Sequence, residues 1–88
     1  MINNIPRSIL GRTEIEVTRL GIGGAYCQTV EGYQKALDFG VNYLDTARNY
    51  RDGEDEKLIG KALQNRRDGV ILASKTDKRT ANEARLDL

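Results

Sequence analysis

The chain has 88 residues, 39% of them apolar, enough for one small core and not for two domains. Its 14 basic and 13 acidic residues are interspersed for a net charge of +1, which leaves no basic face to drive nucleic-acid binding. The absence of histidine removes the commonest catalytic base and metal ligand, and a lone Cys27 excludes an intrachain disulfide.

No apolar run approaches the ~20 residues that span a bilayer, and the start, Met1-Ile2-Asn3-Asn4-Ile5-Pro6-Arg7, lacks the apolar core of a secretory signal. A cytoplasmic location is the expectation. Residues 8–17 place a turn-forming Gly11 between short apolar runs. There Ile15 and Val17 alternate with Glu14 and Glu16, which predicts a hairpin with one face buried. Residues 19–24 read as a short strand entering a glycine turn. Thr29 then caps a helix whose buried face is Val30, Tyr33, Ala36 and Leu37 and which Gly40 ends.

Residues 41–44 form a second strand, apolar throughout except for Asn42, as expected where both faces of a parallel sheet are covered. A loop with Tyr50 and Gly53 leads to a helix that opens on Glu54, Asp55 and Glu56 and closes on Arg66 and Arg67, matching its dipole. That acidic run is explained by capping and dipole complementarity, so no metal site is read from it. Leu58, Ile59, Ala62 and Leu63 are the buried stripe. Gly60 costs about 1 kcal/mol inside a helix, which suggests close contact with a neighbouring element. Residues 70–73 form the third strand. Thr80-Ala81-Asn82-Glu83 then has capping-box spacing and opens a last helix.

The order is a hairpin followed by three strand-helix units, an α/β pattern that winds right-handedly into a parallel sheet. An open doubly wound sheet and an eight-stranded barrel share this beginning. Gly21-Ile22-Gly23-Gly24-Ala25-Tyr26 lacks the last glycine of a dinucleotide fingerprint, whereas Asp45 and Lys75 stand at strand ends, where barrels collect their functional groups. That favours the barrel. An acid, a phenol and an amine at one rim suit proton transfer, since a free phenol titrates at about 10 and a nearby cation favours its ionised form.

Four blocks, in order, carry a family resemblance. They are Gly40-Val41-Asn42-Tyr43-Leu44-Asp45-Thr46-Ala47, Tyr50, Glu56-Lys57-Leu58-Ile59-Gly60-Lys61-Ala62-Leu63 and Ala73-Ser74-Lys75-Thr76. Across nearly all of residues 8–88 the chain resembles the aldo-keto reductase superfamily. The likeness implies that residues 1–88 are a partial reductase domain: the N-terminal hairpin and first three strand-helix units of a truncated TIM (β/α)8 barrel. It further implies NAD(P)H-dependent interconversion of aldehydes or ketones and alcohols. Tyr50 becomes the proton donor, Lys75 the cation beside it, and Asp45 the partner of Lys75, lying next to the nicotinamide ribose. Gly23 and Gly24 leave room for the cofactor ring.

Two departures from the family pattern stand out. Arg51 occupies a place where glycine is frequent, and the catalytic histidine that follows a fourth strand in the family is missing. Most of the NADPH or NADH site is absent with it, so these 88 residues alone are expected to be inactive. An open sheet edge also allows an alternative reading, a noncatalytic module that associates with itself.

Overall fold

The computed structural model describes residues 5–88; the leading stretch read above for a signal lies partly outside them. Strands β1 (Arg7–Ile9) and β2 (Glu16–Thr18) pair antiparallel as the expected hairpin, turning at Gly11 with φ +55°. Strand β3 (Ile22–Gly23), helix α1 (Val30–Asp38), β4 (Tyr43–Asp45), helix α2 (Glu54–Ala62), β5 (Ile71–Ala73) and helix α3 (Ala81–Asp87) follow. The last three strands form one parallel sheet in the order β3-β4-β5, with Leu44 beside both Ile22 and Leu72.

The caps lie where side-chain chemistry puts them. Thr29 Oγ1 accepts from the Gly32 amide at 2.9 Å, and Thr80 Oγ1 accepts from Glu83 N at 3.1 Å while donating to its carboxylate at 3.0 Å. Past α1, Gly40 takes φ +102° and its amide bonds the Leu37 carbonyl, freeing the chain to turn into β4.

Strand alternation divides the sheet into two sides. Leu44, wholly buried, packs against Tyr33 of α1 and Ile59 and Ala62 of α2, with Leu63 and Val70 completing the core. Tyr43 and Asp45 therefore point to the side away from the helices. Ile71 and Ala73 of β5 and Gly23 of β3 share that side through the register.

Three expectations need correction. The hairpin does not bury an apolar face: Ile9 and Ile15 are 52% and 39% exposed, Ser8 and Val17 are half-buried, and the one buried residue of its two strands is polar Thr18. Its attachment is polar. Asn42 Oδ1 accepts from Thr18 N at 2.7 Å, Asn42 N donates to Thr18 Oγ1 at 3.2 Å, and Asn42 Nδ2 donates to the Glu16 carbonyl at 2.9 Å. The single polar residue before β4 is thus a buried clamp that supplies backbone groups of β2 with partners.

Helix α2 stops at Ala62 rather than running on to Arg67, because the chain turns through Asn65 in the left-handed region at φ +62°. Arg66 leaves the helix to bond Asp38 at 2.9 Å, and Arg67 donates to the Val70 carbonyl at 2.5 Å. Gly60 faces outward, and a Cβ there would have no atom within 4 Å, so no close packing explains it. No helix of the described residues is long and apolar enough to cross a membrane.

Candidate active site

Asp45 and Lys75 meet because β4 and β5 are adjacent and in register, Asp45 opposite Ala73. The pairing continues beyond the strands: Thr46 N donates to the Ala73 carbonyl at 2.8 Å and Arg48 N to that of Lys75 at 2.9 Å. Lys75 then reaches back across the seam. Its Nζ spans both Asp45 oxygens at 3.0 and 3.1 Å and donates a third bond to the Thr46 carbonyl at 2.6 Å. All three ammonium donors have a named acceptor.

Tyr50 closes the group. It opens a 3₁₀ turn, Tyr50–Gly53, with its amide bonded to the Ala47 carbonyl, and the Lys75 ammonium stands over its ring 4.9 Å from the centroid. Burial pulls the Lys75 ammonium towards deprotonation, but its bonds to Asp45, the Asp45 charge and the Tyr50 phenol beside it more than offset this, so its pKa is raised above the ordinary value. Asp45 and Lys75 side chains are 39% and 48% exposed, open to a molecule resting on the rim. All three residues singled out in the sequence therefore converge.

Gly23 and Gly24 behave differently. A Cβ on Gly23, the register partner of Asp45, would have no atom within 4 Å, so there is open space beside the carboxylate. Gly24 is buried with its amide on the Asp45 carbonyl at 2.6 Å, and a Cβ there would overlap Asp55 Oδ2. Its lack of a side chain makes room for an acid.

That acid is the residue the sequence did not reveal. Asp55 is fully buried, not a solvated member of the helix's acidic first turn. It accepts bonds from Tyr33 Oη at 2.7 Å, from Thr46 Oγ1, and from Arg51 Nη2 at 2.5 Å. Burial first, then the hydrogen bond to Asp55, push the Tyr33 phenol well above its usual pKa and keep it a donor. Arg51 also holds the carbonyls of Gly24 at 3.1 Å and Cys27 at 3.2 Å.

Arg51 and Asp52 lie at φ +49° and +55°, left-handed conformations that cost L-residues roughly 1–2 kcal/mol each. A glycine would take that backbone freely. The arginine is held there by three acceptors, which gives the unusual residue in this loop a physical reason. Alternation of charge types is the one signal that could have hinted at the pair: an arginine four residues before an acid.

Comparison with known proteins matches residues 23–87 to the family model described as "Aldo/keto reductase family". The uncharacterized oxidoreductase YqkF of Bacillus subtilis is 36% identical over 75 residues, covering 80% of this chain and 24% of that protein. The aldo-keto reductase YhdN of the same organism is 39% identical over 77 residues, covering 73% of this chain and 23% of that one. Among solved structures, the holo form of aldo-keto reductase AKR11C1 from Bacillus halodurans superposes with a TM-score of 0.75 at 35% identity. That match covers 89% of this chain and 28% of the other. The chain thus spans about a quarter of the length of the relatives it matches.

Proposed function

The chain belongs to the aldo/keto reductase family, and on that premise we propose that it carries three catalytic groups of an NAD(P)H-dependent oxidoreductase acting on aldehydes, ketones or the matching alcohols. The observation that carries this reading is the meeting of Asp45, Tyr50 and Lys75 at the carboxyl ends of β4 and β5. Open space at Gly23, the register partner of Asp45, supports room for a cofactor ring there, and the holo form of the Bacillus halodurans relative supports a bound cofactor in this fold. When bound, the nicotinamide supplies hydride chemistry at the carbonyl carbon.

The residues of this chain manage the proton. Tyr50 donates its phenolic proton to the substrate oxygen as negative charge gathers there. Lys75, over the ring of Tyr50, opposes the charge left on the phenolate. Asp45 keeps that ammonium charged and, together with the Thr46 carbonyl, fixes its direction.

The test uses the complete reductase carrying these residues. Tyr50→Phe should abolish most turnover while leaving NADPH binding intact, and unchanged turnover would reject the assignment. The 88 residues alone should show no saturable change of NADPH fluorescence at micromolar concentration.

A further inference from the structure

We propose that Asp55 is a positioning residue for this site, setting through Thr46 and Arg51 the backbone on both sides of the loop that joins Asp45 to Tyr50. The hydrogen bonds of its carboxylate go to Tyr33, Thr46 and Arg51, not to Lys75 or Tyr50. It binds their neighbours. Thr46, whose hydroxyl donates to Oδ2, directly follows Asp45, and its carbonyl is the acceptor that Lys75 Nζ reaches at 2.6 Å. Arg51, which donates to Oδ1, directly follows Tyr50 and holds the left-handed turn in which the tyrosine begins. The same guanidinium bonds Gly24 and Cys27, so the loop after β3 is tied to the same oxygen-rich point.

Burying a carboxylate is expensive unless every lone pair finds a donor, and an apolar side chain of similar size would fill the space at less cost. Here Tyr33, Thr46 and Arg51 supply the donors, and Gly24 gives up its side chain to admit the group. The return on that arrangement is register: the loop after β3 and the loop after β4, which carry or flank reacting groups, are referred to one fixed charge. An amide at position 55 would remove the charge that pairs with Arg51 and turn its NH₂ towards one of these groups, loosening the hold on the loop.

The inference rests on the reductase reading, and the experiment separates the two. In the complete reductase, Asp55→Asn should lower kcat at least about tenfold while the KM values for NADPH and carbonyl stay within about twofold, the signature of misplacement rather than lost binding. Thr46→Val, which keeps the volume and the Arg51–Asp55 pair, should lower kcat in the same selective way, and it decides the matter alone if Asp55→Asn does not fold. Turnover that survives Tyr50→Phe rejects the reductase reading itself. Turnover lost in Tyr50→Phe but within about twofold of the parent in Asp55→Asn and Thr46→Val rejects the role of Asp55 only. A fall in kcat that merely follows the fraction of folded protein in both variants also overturns it.

Discussion

Lys75 Nζ sits astride the two carboxylate oxygens of Asp45, 3.0 and 3.1 Å away, although 30 residues separate them along the chain. The contact is fixed by the parallel pairing of β4 with β5 and by the backbone bonds that extend it past both strand ends. Asp45→Asn should therefore bring the Lys75 pKa down towards its ordinary value, because the main charge favouring the ammonium is removed. Titration of the Lys75 Cε resonance by NMR reads this directly. No movement would mean that the pair is not formed in solution.

Alkaline pH should weaken the fold. Tyr33 keeps its proton in the folded state above the usual phenol value of about 10, so its contribution is complete below that pH and is lost as pH rises towards the folded pKa. Lys75, also raised, acts with the same sign in the same range. Melting temperature should fall above pH about 10, and Tyr33→Phe should flatten part of that fall. An unchanged slope in Tyr33→Phe would show that Asp55 and the phenol are not bonded.

Gly60→Ala should raise stability by about 0.5–1 kcal/mol, since the position is exposed, helical and free of neighbours. Chemical denaturation measures it. A loss would reveal a contact on the outer face of α2.

The two glycines near the site should respond in opposite ways. Gly24→Ala forces a methyl into the Asp55 carboxylate and should cost about 1–3 kcal/mol or more. Gly23→Ala meets only open space, so the melting temperature should hold while the KM for NADPH in the complete reductase rises. An unaltered KM would take Gly23 out of the cofactor site.

Asn42→Ala should cost about 2–4 kcal/mol, because its two side-chain bonds to β2 vanish and the buried Thr18 amide and the Glu16 carbonyl are left without these partners. Hydrogen exchange should quicken first at Thr18, ahead of the Leu44 core.

What the sequence disclosed was local or periodic. Thr29 and Thr80 cap helices through amides three residues on, and apolar spacing marked Tyr33, Ile59 and Ala62 as core. Asp45 and Lys75 stood out because strand ends in a parallel sheet share one rim. What stayed hidden depended on partners far along the chain. Asp55 looks like any acid in a first helical turn until Tyr33, 22 residues away, and Thr46 close around it. Asn42 looked like an interruption of an apolar strand, since its value lies in bonds across 24 and 26 residues. Arg66 and Arg67 suggested a longer helix because dipole logic does not register a left-handed Asn65.

The two-sided build of the sheet has one more effect. Leu44 and its helical neighbours provide cohesion on one side, while Gly23, Tyr43, Asp45, Ile71 and Ala73 look out from the other. The packing of Leu44 with Tyr33, Ile59 and Ala62 is thus independent of the groups at the rim, so a change confined to the Asp45 side chain should leave that layer of the fold in place.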